Sequence, residues 1–340
     1  MITVSQPRLY TPEERKYYVV IERENPLPDW DYMREVTIDN TQNSNTLSDF
    51  QVQITLDTAS LISNGKMKSD CGDVRVYDPD KGSLLPYWVE TGTENSSSTR
   101  IWVKVPSIPG GGKKTIYLFY GNSVATSQSN GDEVFEFFDD FEGTSLDSSK
   151  WTYLSGGYYK TPFEVSDGQL VLKDTSTSGG GYPVKALIQT KDRAIIEIRL
   201  KSDGGADFWV QINTDEPMDN PGDLCLRYSD ADDDRKLNVE GTNYDYYNVN
   251  EWTTLTIKYD STKQDNNINI HDSTSNQSIT LSKSVSVLDN FWLREYDYGY
   301  TGTTWVNWVF VRKFADPEPT TSVGAEQPGG DIKMKVERSW

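Results

Sequence analysis

The chain has 340 residues, of which 35% are hydrophobic, and its 52 acidic and 33 basic side chains give a net charge of -19. That balance excludes nucleic-acid phosphates and anionic membrane surfaces as partners, because both repel it and no Lys/Arg cluster reverses the field locally. Low hydrophobicity with high charge is also the composition of disordered chains, but 10 Trp, 20 Tyr and 11 Phe supply the large, strand-forming side chains of a folded core.

At about 150 residues per domain the length predicts two domains. The chain opens with an arm, residues 1–29, broken up by Pro7, Pro12, Pro26 and Pro28, in which Tyr17–Glu22 (YYVVIE) has the pattern of one added strand. The opening MITVSQPRLYTPEERKYY lacks the apolar stretch of a secretory signal. Exposure outside a cell then requires a signal already removed, or a route such as virion assembly. No run reaches the ~18 apolar residues of a membrane span.

From Trp30 strand signals follow quickly: EVTID, FQVQITLD, DVRVYD, LLPYWVE, RIWVKVP and TIYLFYG, each alternating apolar and polar between turn residues such as DPDKG and PGGGK. The polar stretch NSVATSQSNG closes this first domain, residues 30–131. A second domain, 132–327, opens at VFEFFDDFEGTSLDSSKW. It continues through QLVLK, ALIQT, AIIEIRLKS, DFWVQINT, LCLRYS, KLNVEG, TTLTIKYD, NINIHD, FWLREYDY and WVNWVFVRKF. About ten short strands separated by Gly/Asp/Asn/Ser loops predict a sandwich or jelly roll. Residues 328–340 are left as a tail. Cys71 and Cys225 fall in different domains and in no metal or redox motif, so no disulfide is expected between them.

The segments WDYMREVTIDNT, QVQITLDTASLISNGKMKSDCGDVRVYD, LLPYWVE, IWVKVPSIP and TIYLFYGN, between Trp30 and Gly121, resemble the uncharacterised family DUF2341. The opening VFEFFDDFEGTSLDSSKW and the closing WVNWVFVRKFADPEPTTSVGAEQ resemble the first and last strands of a concanavalin-like (laminin-G-like) jelly roll. The expected fold class is therefore all-β, two β-sandwich domains, the second a concanavalin-like jelly roll. The resemblance implies a surface-associated protein of a kind found widely in archaea. Two departures stand out. Where relatives often carry a second cysteine after LLPYWVE this chain reads ETGTEN, and where they often read Asp-Trp it has Asn307–Trp308.

Candidate chemistry is sparse. His271 is the sole histidine, which rules out a multi-histidine zinc site, and no nucleophile elbow or phosphate loop is present. Glycosidases need two carboxylates. Concanavalin-like glycosidases carry them on an E-x-D-x-x-E strand, to which Glu295-Tyr-Asp297 is the nearest match, with Tyr300 in place of the third acid. Calcium, a hard cation that takes loop carboxylates and carbonyls, is expected at Asp139, Asp140, Glu142 and Asn307, since the jelly-roll resemblance implies a structural ion shared by first and last strands. A second loop, Asp230, Asp232 and Asp234, lacks the following glycine and the bidentate glutamate.

Alternation supplies a candidate ligand face. With Ile196, Ile198 and Leu200, Phe208, Val210 and Ile212, and Leu224, Leu226 and Tyr228 directed to the core, the opposite faces carry Arg199, Trp209, Gln211, Arg227, Arg294, Tyr296 and Tyr298. Flat rings and planar polar groups are what sugar recognition uses. The leading expectation is thus a non-catalytic, surface-exposed binding protein on a cell envelope or virion, whose partner is a glycan or glycoprotein surface. The alternatives are a structural assembly protein self-associating through residues 1–29 and 328–340, and a polysaccharide hydrolase or lyase using Glu295 and Asp297.

Overall fold

The computed structural model describes residues 17–23, 26–176, 178–214, 223–229, 236–246, 250–265, 267–274, 276–296, 299–329 and 332–338. Helix among these is limited to Thr58–Ser63 and Gly131–Val134, and the architecture is all-β. The chain divides into two compact units, Met1–Asn130 with Pro319–Trp340, and Gly131–Glu318.

The first unit is a sandwich of two sheets. Five strands run in the order Thr320–Pro328, Tyr32–Asp39, Lys113–Tyr120, Arg75–Asp78, Ser83–Leu84, and three in the order Leu47–Leu56, Thr99–Ile108, Tyr87–Val89. Alternation directs Val36, Ile38, Ile116 and Leu118 from the larger sheet and Val52, Ile54, Ile101 and Val103 from the smaller into buried positions. Tyr17–Arg23 pairs antiparallel with Ile332–Arg338, so strands from the expected arm and tail pair with each other within one chain.

Thr320–Pro328 corrects the expected partition. The sequence reading ran the second domain to residue 327, but this strand hydrogen-bonds to Tyr32–Asp39 of the first unit. Pro317 and Pro319 lie between the strands Gly302–Arg312 and Thr320–Pro328, and proline donates nothing to a ladder. The chain resumes as TTSVGAEQP, whose largely polar, exposed residues suit an edge.

The second unit is a concanavalin-like jelly roll. Its seven-stranded sheet runs Trp151–Tyr153, Val184–Lys191, Leu288–Glu295, Phe208–Ile212, Leu224–Ser229, Lys236–Val239, Thr242–Tyr246. The facing sheet runs Glu164–Ser166, Gln169–Asp174, Gly302–Arg312, Arg193–Ser202, Thr253–Asp260, Ile268–Asp272, Gln277–Leu281, with Phe137–Asp139 also on Gly302–Arg312. Between them lies one core. Ile196, Ile198, Leu200, Leu255 and Ile257 meet Phe208, Val210, Ile212, Leu224, Leu226, Phe291 and Leu293, each burial contributing about 1.5–3 kcal/mol. Two hairpins close on two-residue turns, Asp167-Gly168 and Glu240-Gly241, whose four positive φ values (54°, 65°, 51° and 83°) match the right-handed strand twist.

Candidate functional site

Strand register decides which candidate side chains meet. On the seven-stranded sheet Trp209 stands opposite Arg227 on one neighbouring strand and Arg294 on the other. Side chains alternate between faces, so all three lie on the face away from the core. Arg227 approaches the Trp209 ring at 5.4 Å from its centroid and Arg294 at 4.8 Å, so the indole separates two guanidiniums. The next row places Gln211 between Cys225 and Trp292, with Lys185 beyond, its Nζ 5.4 Å from the Trp292 ring.

Tyr296 follows the last strand residue and joins this group. Its carbonyl oxygen accepts from Trp209 Nε1 at 3.1 Å, and its ring centroid is 4.9 Å from the Arg294 guanidinium. The Tyr158 hydroxyl donates to the Tyr296 hydroxyl. Arg227 Nη1 pairs with Asp207 Oδ2 at 3.2 Å. Tyr158, Lys185 and Asp207 were missed from sequence. Tyr158 is 138 residues from its partner in a Gly-rich loop, and no local pattern marks that meeting.

The floor of this face holds unmet hydrogen-bonding capacity. Arg294 is 4% exposed and Gln211 3%, and neither Nε and Nη1 of Arg294 nor Oε1 of Gln211 has a hydrogen-bond partner. Burial lowers the Arg294 pKa from its ordinary value. The Cys225 thiol is pushed up to about 11, chiefly by burial, so it is a neutral thiol and no nucleophile near pH 7. Cys71 is likewise raised to about 11 by burial, and both cysteines are free.

Arg199 does not belong to this face. Its strand, Arg193–Ser202, is in the other sheet, where Arg199 and Lys201 lie 5.5 and 5.2 Å from the Trp252 ring, and Lys201 also lies 4.7 Å from Trp305. Two strands with the same alternation can enter different sheets of a sandwich, which is why pattern alone misplaced it. Tyr298 and Asp297, and the acidic loop Asp230, Asp232 and Asp234, lie outside the described residues. His271 is on the sheet that carries Arg199, its Nδ1 3.1 Å from Oγ of Ser278, its directly opposed cross-strand neighbour.

Glu295 is turned the other way from Arg294 and is wholly buried at the end of the core. Burial raises its pKa well above the ordinary value. Its carboxyl is therefore on the core side of the sheet and not on the face that carries Trp209 and Arg294. A raised folded-state pKa means that stability present below the unfolded pKa of about 4.3 is lost as pH rises through the folded value. Glu295→Gln is therefore expected to raise stability at pH 7 by about 1–3 kcal/mol, with a gain that grows between pH 4 and 7 in urea melts. An equal gain at both pH values would show that Glu295 is not protonated by folding.

Of the expected calcium ligands, Asp139 is already engaged by protein donors, and the other three meet at one turn. Asp139 Oδ1 accepts from Phe141 N at 2.8 Å and Oδ2 from Trp151 Nε1 at 2.7 Å, so both its oxygens hold protein donors. Asp140 and Glu142 do approach the Asp167-Gly168 turn: a Cβ at Gly168 would stand 3.9 Å from the Asp140 carbonyl oxygen and 3.2 Å from Glu142 Oε1. Asn307 donates from Nδ2 to the Gly168 carbonyl at 3.2 Å. Among the described residues no three acidic, histidine or cysteine side chains converge as metal ligands; a calcium ion at this turn would rest on carbonyl and amide oxygens together with Glu142. A calcium ion held at this turn would make the thermal midpoint lower in EDTA than in calcium; an equal midpoint in both would remove the metal.

Fold and face together define a two-domain β-sandwich protein with aromatic rings and cations on one sheet face of its second unit. Residues 70–154 match the family described as Domain of unknown function (DUF2341), a segment that starts later and ends later than the Trp30–Gly121 resemblance. No curated protein matches the sequence. Among solved structures the chain is similar to a Bacillus licheniformis β-glucanase, at 14% identity and a TM-score of 0.39 over 52% of this chain and 98% of that one. It is also similar to porphyranase B from Zobellia galactanivorans, at 15% identity and a TM-score of 0.36 over 55% and 91%. A third likeness is to a structure described with endo-acting mucin O-glycanases of the human gut microbiota, at 11% identity and a TM-score of 0.41 over 53% and 100%. No helix among the described residues is long and apolar enough to cross a membrane.

Proposed function

We propose that the second unit recognises a glycan, without cleaving it, on the Trp209 face of its seven-stranded sheet, as part of a protein displayed on a cell or virion surface. The observation that carries this reading is the unmet polar capacity of Arg294 and Gln211 beneath aromatic side chains. A buried polar group without a partner costs about 1–3 kcal/mol, and such groups collect where a ligand completes them. A sugar supplies hydroxyl donors for the Gln211 oxygen, acceptors for the guanidinium, and C–H faces for the half-buried rings of this face.

Binding is favoured over hydrolysis because the sole described carboxylate of the candidate catalytic strand end, Glu295, lies on the core side of the sheet. Glycoside hydrolysis needs two carboxyl groups flanking one bond.

The test is a glycan array probed with the purified chain, followed by incubation of every bound glycan with the protein and mass spectrometry of the products. Selective binding with intact glycans is expected. Shortened products would replace recognition with hydrolysis, and a blank array would remove glycans altogether.

A further inference from the structure

Three cations whose side chains are described share the Trp209 face: Arg227, Arg294 and Lys185. They are not equivalent. Arg227 is neutralised by Asp207 at 3.2 Å and remains partly exposed. Lys185 lies against Trp292. Arg294 is buried, has no carboxylate of the described residues within salt-bridge distance, and keeps two donor nitrogens, Nε and Nη1, unmatched. Its surroundings are rings, with Trp209 at 4.8 Å and Tyr296 at 4.9 Å from the guanidinium.

An unpaired buried charge is among the most costly features a fold can retain, because desolvation is not offset by a counter-ion. Cation–π contacts return only part of that cost. The missing component is an anion with two acceptor oxygens: Nε and Nη1 lie on opposite edges of the guanidinium, and each forms with Nη2 the fork that bonds carboxylates and sulfates in bidentate form. The net charge of -19 supplies no general attraction for polyanions, so the selectivity must come from this local fork.

We propose that Arg294 is the specificity residue of the glycan face and selects sugars bearing an oxyanion, either a hexuronate carboxylate or a sulfate ester, over neutral sugars. This rests on the glycan-binding reading above. The anion docks on the guanidinium plane, and Tyr296, held at the mouth by its hydrogen bonds to Trp209 and Tyr158, is the ring that yields to admit it. Gln211 then takes a hydroxyl of the same residue.

The test is titration calorimetry of the full chain with oligogalacturonate, the matching neutral galacto-oligosaccharide and a sulfated galactan oligosaccharide, repeated with Arg294→Lys and Arg294→Gln. For the preferred anionic sugar, affinity is expected to fall at least tenfold in Arg294→Lys, which keeps charge but loses the fork, and to vanish in Arg294→Gln. Any neutral binding is expected to be unchanged. Preference for the sulfated oligosaccharide identifies sulfate as the source, and preference for oligogalacturonate identifies carboxylate. Neutral sugars bound as well as anionic ones, with both variants unaffected, would overturn the inference and leave glycan recognition standing. No binding in any arm, with a blank array, would remove both. A thermal melt adds a readout that needs no ligand. Arg294→Gln is expected to melt at or above the wild-type midpoint; a clear drop would make Arg294 a structural residue and overturn the proposal.

Discussion

Replacing Trp209 by alanine is expected to weaken glycan binding at least about 30-fold, the scale of a binding hot spot, while Trp252→Ala leaves it unchanged. The argument is mechanical. Trp209 separates Arg227 from Arg294 across three adjacent strands, and its Nε1 fixes the Tyr296 carbonyl at 3.1 Å. Without the indole, the guanidiniums lose the surface that orients them, and Tyr296 loses its anchor. Trp209→Phe restores a ring without the N–H, so an intermediate affinity is expected. Trp252 is the matched control. It too carries two cations, Arg199 and Lys201, but on the other sheet. Binding that survives Trp209→Ala and fails in Trp252→Ala would move the ligand to that sheet. Circular dichroism of each variant, with binding measured by calorimetry, separates lost affinity from lost fold.

Much of the fold was legible because sandwich strands are written in period two. Phe208, Val210 and Ile212, and Leu224, Leu226 and Tyr228, are buried where alternation directs them. Their outward neighbours Trp209, Gln211 and Arg227 follow by necessity. Alternation, however, gives the face of a strand and not its neighbours. Arg199 has the same local pattern as Arg227, yet its strand pairs with Thr253–Asp260 and Gly302–Arg312, two residue sets no short-range rule connects to it. Tyr158 and Lys185 joined the site for the same long-range reason.

The domain boundary failed in an instructive way. TTSVGAEQP follows the last jelly-roll strand directly, so sequence adjacency assigned it to that domain. Its hydrogen-bonding partner, Tyr32–Asp39, lies nearly 300 residues earlier. Strand pairing is a non-local choice, and proline punctuation at Pro317 and Pro319 was the one local sign that the chain was leaving its sheet. Glu295 shows the converse. Its sequence neighbours suggested a polar strand end, and only the packing of the two sheets shows that its side chain is closed inside.

The largest stability effect is expected at Arg312, where methionine should cost about 3–5 kcal/mol. Arg312 is nearly buried, pairs through Nε with Glu197 Oε1 at 2.8 Å, and donates from Nη1 to Glu318, which Lys258 also meets at 3.2 Å. Removing the guanidinium takes the Nε donor from Glu197 and the Nη1 donor from Glu318, and the loss of a buried charge partner is what makes breaking such a pair expensive. The double variant Arg312→Met with Glu197→Met is expected to recover most of the loss, because replacing both charges leaves nothing unpaired. A pH dependence follows from Glu318. Burial alone would raise its pKa, but the Arg312 and Lys258 charges outweigh it and hold the carboxyl below its ordinary value. A depressed folded-state pKa gives stability that is fully present above the unfolded value, about 4.3, and is lost as pH falls through the folded value. Arg312→Met lifts the Glu318 pKa toward normal, so its destabilisation should be full at pH 7 and shrink toward pH 3. Urea melts across that range decide it. A penalty independent of pH would mean that Arg312 acts through packing of its aliphatic stem rather than through its charge.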